Sequence, residues 1–408
     1  MTTTVLYVLN DPVGGATEGV LELLRGLAGS TYRAVVVSPR EPAPARRAEI
    51  EAVADELHVV PMEWWNSKVG LPAWYRPVGW GRRAARTGFH SVPVTRLVRL
   101  IRSRQVDLVY TNTAMILDGA IAARLTGRPH VWHVKEWMGR RARTRFPLPD
   151  GALVRVMGDR LSRRVVAMTE FIAEVFRREG ADGRVQVVYD GVDVARFGSE
   201  SGGEGLRREL GLQEDDLLVA MAAALRSPWK KHELFVAMAA RLAPRLPQAR
   251  FVIFGPPPRR FRNPAYNGGY EHYGRLVGMA RSAGISERIS IGVFCHDIPR
   301  MMGAVDVLVH PCDVEPFGRV AIEAMAARRP VVGPDRGGIS ESVVHGETGL
   351  LVPPDDVEAL ANATATLAGD PGLRARMGES GRERAEAVFS LERHVGEMTR
   401  VYEEALAR

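Results

Sequence analysis

The chain has 408 residues, 46% of them hydrophobic and 25% charged, which is the composition of a soluble globular protein of about two domains. No apolar run is long enough to span a bilayer. The only cysteines, Cys295 and Cys312, exclude a disulfide framework or a cysteine metal cage and point to a reducing compartment, so the expected location is cytoplasmic.

The net charge of +7 is uneven: residues 1–198 carry 29 Lys+Arg against 20 Asp+Glu, and the remainder carries 26 against 28. Two readings of the basic first half stand, general solubility or an acidic partner. That partner would be a phosphorylated or carboxylated acceptor, or the inner face of a membrane touched peripherally.

In chain order, "TTTVLYVLN" reads as a buried strand, too short and too soon polar for a signal peptide. "NDPVGGATEG" follows, then the helical pattern "TEGVLELLRGLAG". Gly14 and Gly15 therefore sit where the first strand meets the first helix. Glycine there lets backbone approach a ligand closely, and the helix start favours an anion; a tight turn explains the pair equally. The dinucleotide fingerprint G-x-G-x-x-G is not matched, which counts against a nicotinamide enzyme.

"YRAVVVSP", "ELHVVPM", "VDLVYTN", "HVWHVKE", "RVVAMTE" and "VQVVYDG" continue the first half. They are continuous apolar runs, as parallel strands buried on both faces are. His133 follows one such strand and so is expected to face the cleft between domains, although a lone histidine is more often structural. Residues 62–90 hold four of the seven tryptophans with Arg82, Arg83 and Arg86, and "WMGRRARTRF" (137–146) adds a second aromatic–basic cluster. Tryptophan beside arginine suits a sugar-and-phosphate acceptor, a membrane interface or a packed surface loop.

The Gly/Ser stretch "FGSESGGEG" (197–205) reads as a linker, which divides the chain into 1–198, 199–388 and a terminal helix over 389–408. Beyond it, "LLVAMAAAL", "ARFVIFG", "RISIGVF", "VDVLVHP" and "RPVVGPD" repeat the strand–helix alternation. The fold class is thus α/β, with two doubly wound Rossmann-like domains. Residues 256–274 read as a long loop.

Open α/β sheets bind ligands at the C-terminal ends of their strands. In the second half, "LRSPWKKHE" places Arg226 and Lys230 there, where they can hold two phosphates. Only four lysines stand against 51 arginines, so the adjacent Lys230 and Lys231 are either chance or a place that wants a compact ammonium. Glu315, in "EPFGRVAIE", falls on the turn between a strand and a helix. The backbone amides of Phe317, Gly318, Arg319 and Val320 are helix-start donors. Glu323 lies more than a turn into that helix among Val320, Ile322, Ala324 and Met325, where a carboxylate needs a hydrogen-bonding partner such as a ribose diol; an exposed helix face is the other reading.

Glu315 and Glu323 form an E-x7-E motif within "DVLVHPCDVEPFGRVAIEAMAARRPVV", flanked by "YDGVDVARF" and "GGISESVVHGETGLLVPPDD". Together these stretches resemble the retaining glycosyltransferases of family 4, whose GT-B fold sets two Rossmann-like domains facing each other across a cleft. The resemblance covers essentially the whole chain. It implies that Glu315 contacts hydroxyls of the donor sugar, that Glu323 binds the nucleotide ribose, and that Arg226 and Lys230 neutralise the diphosphate. It also implies that Gly14–Gly15 close over that diphosphate, that His133 contacts the donor sugar near the reacting carbon, and that base contacts come from backbone around 292–298. The terminal helix is expected to return to the first domain.

Two stretches depart from the pattern. The usual G-R-L-x-P-x-K-G reads "ALRSPWKK", so the arginine, Arg226, comes one position late and Lys231 replaces a glycine, and the usual N-G-V-D begins with Asp190, which shares the turn habits of asparagine.

The expected reaction is retaining transfer of a hexose-type sugar from a UDP- or GDP-linked donor by front-face attack. No Asp-x-Asp lies at a strand end, so Arg226, Lys230 and backbone amides would stabilise the leaving group with no metal or other cofactor. The partners are then the nucleotide-sugar donor and an acidic, lipid-linked or small-molecule acceptor, without nucleic acid. An epimerase or phosphorylase of the same fold, or a non-catalytic nucleotide-sugar binder, is the alternative.

Overall fold

A computed structural model describes residues 2–65, 67–68, 91–138, 144–146, 148–198, 202–257 and 268–407. The chain divides into two compact units, Met1–Gly191 with Leu391–Arg408, and Val192–Ser390. The division falls before the Gly/Ser stretch rather than in it. The physical reason is that Val192 already bridges to Ser390, and the Arg382 guanidinium donates to the carbonyls of Val194 and Phe197, tying this segment to the second unit.

The first unit holds a seven-stranded parallel sheet of β1 (Thr3–Val8), β2 (Tyr32–Ser38), β3 (Glu56–Val59), β4 (Leu108–Asn112), β5 (His130–Val134), β6 (Arg164–Ala167) and β7 (Val185–Val187). The order is β3-β2-β1-β4-β5-β6-β7, so the strand order reverses beside β1. Side chains alternate across each strand, and here both faces are covered. Val5 and Tyr7 of β1 pack with Leu21 and Leu24 of α1 (Gly15–Gly26). Leu6 and Val8 pack with Leu97 and Ile101 of α2 (Ser91–Ser103) and with Ala122 of α3 (Asp118–Thr126). That double burial is why these strands read as unbroken apolar runs.

In the second unit β8 (Leu217–Ala222), β9 (Ala249–Phe254), β10 (Ile289–Val293), β11 (Val307–Val309), β12 (Val331–Pro334) and β13 (Gly349–Val352) form a six-stranded parallel sheet ordered β10-β9-β8-β11-β12-β13. Both sheets thus repeat the doubly wound pattern. The helices that carry site residues are α4 (His232–Leu242) after β8 and α5 (Arg319–Ala326) after β11. The stretch expected as loop to residue 274 is shorter: α6 (Gly268–Ser282) starts at its double glycine, and Leu276 and Ala280 join the core. The part at 258–267 lies outside the described residues.

The last helix, α7 (Leu391–Leu406), belongs to the first unit. Met398, Val401 and Tyr402 enter its core, and the Tyr402 ring meets those of Tyr7, Tyr32 and Tyr110 at 5.7–6.5 Å.

Several histidines are buried and neutral. Burial lowers His130 from 6.5 to about 3, where it bonds Ser162 and Thr111. It lowers His232 to about 4 and His133 well below its ordinary value. A depressed folded pKa contributes stability that is complete above the unfolded value and lost as pH falls toward the folded one. The melting temperature is therefore expected to hold above pH 6.5 and to fall steadily between 6.5 and about 3, as thermal unfolding over that range will show.

Candidate active site

Glu315 stands on the turn from β11 to α5, at the C-terminal edge of the second sheet. Its carboxylate takes a hydrogen bond from the Lys230 ammonium, and its Oε2 lies 3.1 Å from His310 Nε2. The Lys230 and Glu315 side chains are only 18% and 12% exposed. Burial alone would raise the Glu315 pKa, but the charges of Lys230 and His310 override it and hold the carboxyl at about 2. The glutamate is thus a fixed anion.

Gly318, at φ 82°, is the N-cap of α5, and no side chain caps the helix there. A Cβ at 318 would stand 2.2 Å from Ile339 Cδ1, so the position requires glycine on both counts. The helix start therefore leaves backbone donors to a ligand. Phe317 itself is core, its ring 5.9 Å from that of Phe389. Val320, in the first turn, is half-buried. Glu323 has a partner within the helix: its Oε1 accepts from Arg319 Nε at 3.0 Å, with both side chains about 85% covered. Arg226 is exposed on the loop after β8 and makes no ion pair among the described residues.

His310, Cys312 and Glu315 bring three donor atoms within 4.8 Å of one another. They suit a divalent cation poorly. Lys230 already occupies the carboxylate, and burial pushes the Cys312 thiol up to about 12.

In the first unit, Gly14 (φ 108°) is the N-cap of α1 and Gly15 its first residue; a Cβ on either would meet nothing within 4 Å. The loop is open to a ligand on that side. Contrary to expectation, His133 does not follow its strand but lies within it. It is the fourth residue of β5, fully buried, with Nδ1 2.6 Å from the Tyr110 hydroxyl and Nε2 4.0 Å from Asp190 Oδ1. The apolar run continues one residue past it, so the strand carries it inside.

Two domain models cover these units: "Glycosyltransferase Family 4" over residues 13–196 and "Glycosyl transferases group 1" over 204–384. The chain belongs to glycosyltransferase family 4. It is similar to the D-inositol 3-phosphate glycosyltransferase of Kribbella flavida, 34% identical over 213 residues that make up 50% of this chain and 47% of the relative. It is also similar to the GDP-mannose-dependent alpha-(1-6)-phosphatidylinositol monomannoside mannosyltransferase of Mycolicibacterium smegmatis, 26% identical over 83% of this chain and 90% of that one. The chain spans about half the length of the inositol-phosphate relatives it matches. Among solved structures, Anabaena Alr3699/HepE in complex with UDP-glucose has the same fold, with a TM-score of 0.78 and 23% identity over 98% of this chain and 99% of that one. The GT-B class is therefore established for this chain.

The departures at Lys231 and Asp190 have local explanations. Lys231, in the glycine position, is held at φ 60° at the start of α4. That left-handed geometry costs a lysine roughly 1–2 kcal/mol relative to its preferred backbone. The side chain offsets this: Nζ lies 2.6 Å from Asp313 and 2.5 Å from Asp355, tying the loop after β8 to those after β11 and β13. Asp190 is a buried counter-ion rather than a turn-former, with Lys135 Nζ 2.7 and 2.8 Å from its two oxygens.

Sequence reasoning passed over Glu136, two residues beyond β5 at the ligand edge. Its signal was a charged residue directly after an apolar strand. The candidate acceptor segments are partly described. Trp64 and Trp65 donate to the carbonyls of Asn10 and Ala114, and Ser67–Lys68 pairs antiparallel with Thr144–Arg145, which brings the two aromatic–basic stretches together. Arg82, Arg83, Arg86 and residues 139–143 lie outside the described residues. No described helix is long and apolar enough to cross a membrane.

Proposed function

We propose that this chain transfers a hexose-type sugar from a UDP- or GDP-linked donor, with retention and without a metal, to a hydroxyl of a phosphate-bearing polyol. An inositol phosphate, or its lipid-linked form, is the acceptor class the relatives' names support. The observation that carries the reading is the Lys230–Glu315–His310 set beside an uncapped helix start, at the ligand edge of a doubly wound sheet.

Each group has a physical task. Leaving-group departure places negative charge on the β-phosphate, which Lys230 and Arg226 would neutralise together with the amides of Phe317–Val320. Glu315, held ionised, would accept hydrogen bonds from the donor sugar's hydroxyls. Glu323 would take the ribose diol while keeping Arg319 as its structural partner. Gly14 and Gly15 would lie against the diphosphate. His133, being buried, would act through its neighbours rather than touch the sugar. In front-face transfer the departing phosphate oxygen takes the acceptor's proton, so no enzyme nucleophile is needed.

A thermal-shift panel of UDP, GDP, ADP and TDP tests the reading first. At a ligand concentration 100 times its dissociation constant the stabilisation is about 2.7 kcal/mol, so UDP or GDP should raise the melting temperature by several degrees. If no nucleoside diphosphate does so, the proposal fails.

A further inference from the structure

The turn after β4 stores strain at the ligand edge of the first sheet. Thr113 sits at φ 80°, and it is the one β-branched residue with positive φ among the described residues. Branched residues avoid that region, and those found there cluster at functional sites. The turn is pinned to β5 on both sides: Thr113 N–H donates to the His133 carbonyl at 2.8 Å, and the Thr113 carbonyl accepts from Trp132 Nε1 at 2.8 Å. So held, it aims the Ala114 N–H at Glu136 Oε2, 2.7 Å away.

Glu136 is half-buried, at the point where the candidate acceptor stretches leave the sheet. The Trp65 indole bonds the Ala114 carbonyl at 2.6 Å and meets the Phe146 ring, tilted, at 5.1 Å, while the ring of the next residue, Trp137, meets that of Phe171, also tilted, at 5.2 Å. Burial pushes the Glu136 carboxyl up to about 7, although the amides of Ala114 and Lys135, the Thr113 hydroxyl and the Lys135 charge all favour its anion. The ammonium of Lys135 is committed to Asp190. Such a carboxyl changes charge in the range where acid–base and hydroxyl-orienting groups work.

We propose that Glu136 contacts the acceptor, its carboxylate taking the hydrogen bond of a hydroxyl beside the one that is glycosylated. The inference rests on the transferase reading above. A carboxylate has about four acceptor sites, and Ala114, Lys135 and Thr113 take up to three, which leaves one for a ligand. In the step, the bond from the acceptor oxygen to the sugar's anomeric carbon forms as the bond from that carbon to the β-phosphate oxygen breaks. The proton passes to the departing phosphate, and Glu136 ends the step unchanged. The competing account is a clasp that only fixes the strained turn. A glutamine serves that purpose equally, because its carbonyl oxygen accepts from Ala114 in the same way.

The test compares wild type with Glu136→Gln and Glu136→Asp, using the donor that wild type turns over and D-inositol 3-phosphate as the acceptor probe, with donor hydrolysis by water read in parallel. Wild type is expected to rise in rate through about pH 7, and the Gln variant is expected to keep its melting temperature and its stabilisation by the nucleoside diphosphate, to lose about 10²-fold in kcat, and to lose that rise. The Asp variant, which keeps the charge, should recover part of the rate and the pH dependence. A Gln variant as fast as wild type, a Gln variant that does not fold, or an Asp variant no better than Gln each overturns the assignment. If wild type releases no nucleoside diphosphate from any donor, the transferase reading itself falls; release by wild type with an unaltered Gln variant removes only Glu136.

Discussion

Asp190→Asn is expected to destabilise the first unit by about 3–5 kcal/mol, the cost of neutralising one member of a buried ion pair. Asp190 and Lys135 are each only 3% exposed at the side chain, and both carboxylate oxygens are within 2.8 Å of the ammonium. Lys135 is almost wholly buried, so removing the carboxylate leaves a cation that must lose its proton or draw solvent inward. The pair also lies directly beneath α1. A Cβ on Gly19 would stand 2.6 Å from Asp190 Oδ2 and 2.7 Å from Lys135 Nζ. The helix that begins at Gly14–Gly15 therefore rests on this pair, and loosening it should loosen the glycine loop. Urea unfolding followed by far-ultraviolet circular dichroism measures the loss. A double change, Lys135→Met with Asp190→Asn, removes both charges and should recover most of it, because no uncompensated buried cation remains. An Asn variant within about 0.5 kcal/mol of wild type, the range of ordinary surface substitutions, would refute the argument.

This pair also shows where sequence reasoning stops. The strands were legible because burial on both faces makes them continuous apolar runs, and Val5–Val8 in β1 is the plainest case. The turn at Glu315 was legible because a proline and a glycine punctuate it between a strand and a helix. The role of Asp190 was not, since its partner lies 55 residues away and "DGVD" carries turn chemistry of its own. His133 misled for a similar reason: its hydroxyl partner, Tyr110, comes from the neighbouring strand, and no local pattern records that bond. The helix at 268–282 was hidden by a Gly-Gly pair that normally marks a turn. β13 was read only as part of a motif, because four residues beginning with glycine and followed by two prolines give a weak strand signal. Pairings between distant residues decided the cases of Asp190 and His133, and local punctuation hid the other two.

Lys230→Ala is expected to lower kcat by about 10²–10³-fold, as removal of one preorganised charge donor does. The structure complicates the reading of that number. Lys230 also neutralises Glu315, whose carboxyl is held at about 2 by Lys230 and His310 against its burial. The alanine variant therefore leaves an ionised glutamate with one fewer partner, and instability alone could mimic a catalytic loss. Lys230→Met combined with Glu315→Gln separates the two effects. It removes both charges, so stability should return toward wild type, while transfer should stay at least 10²-fold down because neither of the proposed contacts, to phosphate and to sugar, is restored. The pH dependence gives a second check. Glu315 contributes stability that is complete above 4.5 and lost as pH falls toward about 2, and the double variant should lack that part of the acid sensitivity. Thermal unfolding and nucleoside diphosphate release, measured on all variants at one pH, decide the matter. If activity returns together with stability in the double variant, Lys230 supports the fold and the leaving group is stabilised elsewhere.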